Sequence, residues 1–116
     1  MAQPEIVHGN GALGVRLRGE LTIDTAPALV EAIGAVAREH ATPKLVIDLR
    51  DVSYLDSTCL SALLEARRVQ DRQGGELTVL VVAGGHVADL FRISGTQKLL
   101  GVREDADGAL ESLLEP

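Results

Sequence analysis

A chain of 116 residues with 46% hydrophobic and 24% charged side chains has the make-up of one globular domain spanning residues 1–116. Eleven basic against 17 acidic residues give a net charge of −6, which opposes nucleic acid and anionic membranes as partners and favours a protein with a basic face. One cysteine rules out an internal disulfide, and Met1 to Glu5 lack the basic and apolar segments of a secretory signal, so a soluble cytoplasmic protein is expected.

Glu5 to His8 and Leu13 to Arg18 read as two strands of a hairpin across Gly9-Asn10-Gly11, because Leu13, Val15 and Leu17 alternate with Gly14, Arg16 and Arg18. Gly19-Glu20-Leu21 closes the second strand. Asp24-Thr25-Ala26-Pro27 then opens a helix with a capping residue and a proline in the first turn, where its missing N–H costs nothing. Leu29, Ile33, Val36 and Ala37 form the expected buried stripe, with Glu31, Arg38 and Glu39 facing water, until Thr42-Pro43 ends the segment. Leu45-Val46-Ile47-Asp48-Leu49 has the apolar, β-branched pattern of a buried central strand.

Residues 52–60 join that strand to a second helix, and the working part of the chain is expected here. Asp56, Ser57 and Thr58 offer three short oxygen-bearing side chains, the types that accept hydrogen bonds from a helix's first amides. The helix runs to about Gln73 and stops at Gly74-Gly75, a left-handed terminator. Ser57, Ser61, Glu65, Arg68 and Arg72 form its polar stripe, while Leu60, Leu63 and Leu64 turn to the sheet.

Residues 76–82 read as a strand buried on both faces, followed by Gly84-Gly85 and a short helix around His86 to Ile93 that Ser94-Gly95 ends. Leu99 to Val102 add a short edge strand, and Asp105 to Leu114 a closing helix with Ala109, Leu110 and Leu113 inward. The order is ββαβαβαβα: an α/β domain with a mixed, four- to five-stranded sheet and about four helices mainly on one face. The loop after the central strand lies at its carboxyl end, the usual functional edge.

A phosphate on Ser57 would meet the amides and the positive dipole end of the helix, so the fold would tolerate it. It would also bring up to two negative charges to the surface beside Asp56 and obstruct a docked partner. The plainer reading is that Ser57 only caps the helix. No metal site is expected, since His8, His40 and His86 are scattered and Cys59 has no nearby partner. Catalysis is not supported either, because Ser57 lacks a G-x-S-x-G elbow. Cys59 is a small packing residue or, alternatively, a thiol sensitised by the positive helix end. Asp48, Asp51 and Asp56 raise the possibility of a response-regulator receiver, but Gly9-Asn10-Gly11 occupies the place of its acidic pair.

Gly19-Glu20-Leu21, Asp48-Leu49, Val52-Ser53-Tyr54-Leu55-Asp56-Ser57-Thr58, Gly74-Gly75-Glu76-Leu77, Leu90-Phe91 and Ser94-Gly95 follow one another over almost the whole length. Together they resemble the anti-sigma factor antagonists (anti-anti-sigma factors) of the STAS domain family. The resemblance implies a single STAS-like domain acting as a bacterial partner-switching module. Such a protein, unmodified, binds an anti-sigma factor that is also a serine kinase, and so releases a sigma factor for transcription. Phosphorylation by that kinase ends the binding, and a PP2C-type phosphatase restores it.

By the same resemblance the phosphorylated residue is Ser57, directly after Asp56, with Thr58 second to it. Partner-binding residues are implied at Thr22, Asp24, Thr25, Asp56, Ser57, Thr58, Cys59 and Ser61. ATP and its divalent ion belong to the kinase, so the chain is expected to need no cofactor and to be a substrate and binder, not an enzyme. Thr22 stands where the family commonly has an aspartate, Cys59 where it has a glycine and Thr96 where it has a leucine. The alternative is a STAS-type ligand-sensing or scaffold module without a phosphorylation cycle.

Overall fold

In the computed structural model, residues 5–8, 13–40 and 44–106 are described, without the side chains of residues 7, 8, 26, 30 and 36–40. The elements are β1 (Glu5–His8), β2 (Leu13–Leu21), α1 (Ala26–His40), β3 (Lys44–Leu55), α2 (Ser57–Arg72), β4 (Glu76–Val82), α3 (His86–Ser94) and β5 (Val102–Asp105). The strands lie side by side in chain order, β1 antiparallel to β2 and the remaining pairs parallel. Each parallel step needs a crossover, which α1, α2 and α3 supply. Such crossovers are right-handed, so a sheet built in sequence carries all three on one face, where α1 packs on α2.

That face holds the core. Leu13, Val15 and Leu17 of β2, Leu45, Ile47 and Leu49 of β3, and Leu77, Val79 and Val81 of β4 are buried there. They meet Leu29 and Ile33 of α1, Leu63 and Ala66 of α2, and Phe91 of α3. The alternation and helical stripes of the sequence describe these elements well.

β3 is longer than the sequence pattern indicates, because its inward positions are 45, 47, 49, 52 and 55. Two register shifts against β2 explain the broken period: one lies between Arg16 and Arg18, the other between Gly19 and Glu20. Each places one extra β3 residue in the ladder and turns the strand's inward phase by one position. Gly19, at φ +82°, supplies the backbone conformation at the second shift. Residues 52–55, expected in the segment that joins the central strand to the second helix, are therefore strand.

Asp48 and Arg50 hold the first shift. The Asp48 carboxylate accepts from the Arg50 backbone N–H at 3.0 Å, from Arg50 Nε at 2.9 Å and Nη2 at 2.8 Å, and from Arg16 Nε at 3.1 Å. Arg50 Nη1 continues to Asp105 at 2.7 Å, so one ionic network ties β2, β3 and β5. Burial pushes the Asp48 carboxyl up, but the Arg50 hydrogen bonds, the Arg50 charge and the Arg16 bond outweigh it and hold the group below its ordinary range.

The chain's last described elements differ from expectation. Asp105 ends β5 instead of opening a helix, since its carboxylate is engaged by Arg50. The described residues contain three helices, one fewer than expected. Residues 107–114 of the expected closing helix, the turn at 9–11, Thr42-Pro43 and the side chains of Val36, Ala37, Arg38 and Glu39 lie outside the described residues. Leu99 to Gly101 form a turn that Val102 N–H closes onto Gln97 C=O at 2.9 Å, so the edge strand starts at Val102. Gly101 combines φ +61° with an added Cβ position 2.4 Å from the Leu77 carbonyl oxygen.

Two stability measurements follow from this framework. Gly101→Ala should lower unfolding free energy by about 2–4 kcal/mol in a urea titration. Asp48→Asn, which leaves arginines facing a neutral amide, should cost about 3 kcal/mol near pH 7. Folding lowers the Asp48 pKa, so its contribution is complete above the unfolded value near 3.9 and is lost as pH falls through the folded value. The wild-type urea midpoint should thus drop below about pH 4 while that of Asp48→Asn changes less.

Candidate functional site

Leu55 ends β3 in the core, and Asp56 turns the chain into α2. The Asp56 N–H donates to Leu21 C=O at 3.1 Å, and its own C=O accepts from Leu60 N–H at 3.1 Å. Its Oδ1 accepts from Cys59 N–H at 3.1 Å, which makes the carboxylate the helix cap. Ser57 is the first helical residue, not the cap: of the three oxygen-bearing side chains that the sequence offers, Asp56 caps, and the plainer reading of Ser57 as the cap does not hold. Ser57, Thr58 and Ser61 are exposed on the first turns of α2, where Ser61 Oγ donates to Ser57 C=O at 3.3 Å.

The turn between β2 and α1 lies alongside. Thr22 N–H donates to Thr25 Oγ1 at 2.8 Å, and the Thr25 hydroxyl donates back to Thr22 C=O at 3.0 Å. Thr25 C=O accepts from Leu29 N–H at 3.1 Å as α1 begins. The hydroxyl of Thr25 thus closes its own turn and leaves Ile23 and Asp24 exposed at the tip.

Cys59 joins the two turns from inside. Its Sγ donates to Thr22 C=O at 3.4 Å and its side chain is fully buried. Burial pushes the thiol up, and the charge and hydrogen bonding of Asp56 add to this, to about 11. Burial first, and Asp56 beside it, keep the thiol protonated, so of the two readings of Cys59 the structure supports the packing residue and not the sensitised thiol. Cys59 also presents no side chain to a docked protein, contrary to its place among the expected partner-binding residues. It supports that surface from beneath, through its thiol on Thr22 C=O and its N–H on the Asp56 carboxylate.

The bonds above bring Thr22, Thr25, Asp56 and Cys59 into one frame, with Ser57, Thr58 and Ser61 displayed above it and Asp24 on the neighbouring turn. Sequence reasoning passed over a second feature of this edge. The rings of Tyr54 and His86, 32 residues apart, stack with centroids 6.1 Å apart and planes inclined by 12°. Nothing in the chain's local patterns signals that pairing. Among the described residues there is no group of three or more His, Cys, Asp or Glu that could hold a metal ion. No described helix is long and apolar enough to cross a membrane.

Comparison with known proteins agrees with this architecture. The family model described as "Mlab, STAS domain" matches residues 7–101. The chain is 31% identical over 93 residues to the anti-sigma-B factor antagonist of Staphylococcus aureus strain NCTC 8325, covering 80% of this chain and 84% of that protein. It is 28% identical over 107 residues to the anti-sigma-B factor antagonist of Bacillus subtilis strain 168, covering 92% and 95%. A solved anti-sigma factor antagonist from Mycobacterium paratuberculosis matches with a TM-score of 0.81 at 28% identity, over 97% of this chain and 93% of that one. The chain belongs to the STAS domain family, and the relatives it resembles there are anti-sigma factor antagonists.

The state of Cys59 can be measured directly. At about pH 8 the folded protein should react with a disulfide reagent such as DTNB roughly a hundredfold more slowly than the chain in concentrated guanidinium. A folded-state rate like that of an exposed cysteine would contradict the buried, protonated thiol.

Proposed function

We propose that this chain is an anti-sigma factor antagonist whose switch is Ser57. Unphosphorylated, the single STAS domain of residues 1–116 binds an anti-sigma factor that is also a serine kinase, in the bacterial cytoplasm, and so frees a sigma factor. The kinase transfers the γ-phosphoryl group of ATP to Ser57 Oγ, with Thr58 as the secondary acceptor, and binding ends. A PP2C-type phosphatase hydrolyses the phosphoester and restores the binder. The chain supplies no catalytic group to either step, and ATP with its divalent ion stays with the kinase.

The observation that carries this reading is the division of work between neighbours: Asp56 caps α2, so Ser57 is an exposed hydroxyl with no capping duty. A phosphate there lies at the positive end of a helix, where the fold accepts it. In an interface seated on Ser57 the same dianion has to be accommodated and desolvated, and that cost ends docking. Thr22, Asp24, Thr25, Asp56, Thr58 and Ser61 surround it as the binding surface. The curated relatives named as antagonists support the choice of partner class.

Incubation with the cognate anti-sigma factor kinase and ATP, followed by peptide mass spectrometry, should place phosphate on Ser57. Ser57→Asp should bind the kinase at least about tenfold more weakly than wild type. Ser57→Ala should bind normally and no longer respond to ATP. Phosphate on neither Ser57 nor Thr58, or equal binding by the two variants, would remove the switch.

A further inference from the structure

The parallel pairing of β2, β3 and β4 sets their carboxyl ends along one edge of the sheet. Large hydrophobic side chains are exposed at six described positions, and three of them lie at this edge: Ile23 just after β2, Tyr54 near the end of β3 and Val82 at the end of β4. The chain has two aromatic residues besides histidine. Phe91 is fully buried, whereas Tyr54 is 43% exposed and stacked on His86. A stacked tyrosine–histidine pair is a rigid platform, with flat ring faces and polar edges, that loses few rotamers when it is covered, and such economy is one reason tyrosine is enriched at interfaces. Beside it, between the end of β3 and the start of α3, a cavity of about 110 Å³ is lined by Leu49, Val52, Val82 and Val87 together with Ser53, Gly85 and His86.

The charge of this edge is one-sided. Residues 19–25, 52–61 and 82–88 contain Glu20, Asp24 and Asp56 but none of the chain's 11 lysines and arginines. Glu20 is the β2 register partner of Tyr54, so an acid stands beside the platform as well as beside Ser57.

We propose that these side chains form one docking face, continuous with Ser57, for a protein that brings aliphatic side chains to Tyr54, His86 and Val82 and basic ones to Glu20, Asp24 and Asp56. The proposal rests on the reading of Ser57 as a contact of the anti-sigma factor, and it widens that contact across β3 to β4 and α3. Apolar burial on the Tyr54 platform supplies most of the affinity, and the acidic rim speeds and orients the encounter. A small cavity beside a rigid ring fits one aliphatic side-chain tip, the geometry of an anchor in a socket.

The test uses full-length protein and the purified anti-sigma factor kinase of the Ser57 experiment, with affinity and rates read by surface plasmon resonance. Tyr54→Thr keeps strand propensity and removes the ring; it should weaken binding at least about tenfold. Val82→Thr should weaken it roughly threefold. Ile93→Ala changes an even more exposed side chain, at 84%, away from this edge, and should leave binding unaltered. Far-UV circular dichroism and the melting temperature of all three should match wild type, and the wild-type association rate should fall as salt rises.

Affinity unchanged in Tyr54→Thr and Val82→Thr, with Ser57→Asp still defective, would overturn the wider face and leave the Ser57 switch standing. Loss in Tyr54→Thr with normal binding by Ser57→Asp would uphold the face and remove the switch. An equal loss in Ile93→Ala would overturn the face, because the effect would not belong to this edge. A kinase that binds none of the forms would overturn both readings together.

Discussion

Asp56 commits three of its polar groups to two elements, β2 and α2. Its N–H continues the ladder to β2, its carboxylate closes the first turn of α2, and its carbonyl begins the helical series at Leu60. Strand end and helix start are thereby locked in a single residue, and Ser57 is left to point outward. Had the serine been the cap, losing its hydroxyl would have cost about 1 kcal/mol of helix stability. With the acid as the cap, the neighbouring hydroxyl can change state while the helix keeps its start.

The same arrangement depends on how β3 reaches Asp56. Strict alternation from Leu45 would send Asp51 and Ser53 into the core. The two register shifts put Val52 inward instead, and because there are two of them, Leu55 returns to the phase it would have had without either. Asp48 and Arg50 stabilise the first shift by pairing across it, and Arg50 extends the tie to Asp105 at the far side of the sheet. Asp51, Ser53 and Tyr54 are thus kept on the surface.

Much of this was readable from residue order because it is local. The alternation of β2, the buried run of β4, the Leu29 and Ile33 stripe of α1 and the glycine stop after α2 each follow from nearest neighbours. The Asp56-Ser57-Thr58 element was placed at a helix start on the same grounds. Which of the three caps was not readable, since all can accept from an amide and only backbone phase selects Asp56. The shifts in β3 escaped because a bulge leaves the composition of a strand unchanged while breaking its period. Asp105 looked like an acidic helix start, and its pairing with Arg50 spans 55 residues. Cys59 reads in sequence as a packing residue and is one, whereas the carboxylate folded over its helix end, which counts against the alternative of a sensitised thiol, is not visible there.

The side-by-side order of the strands also bears on how the molecule comes into being. Every strand docks on the one made just before it, so none has to be threaded between neighbours already joined. All the bonds described around Ser57 fall between Leu21 and Ser61. A nascent chain that has left the ribosome through α2 already contains every partner in that frame, whereas the flank carrying Val82 and His86 arrives with the last third of synthesis.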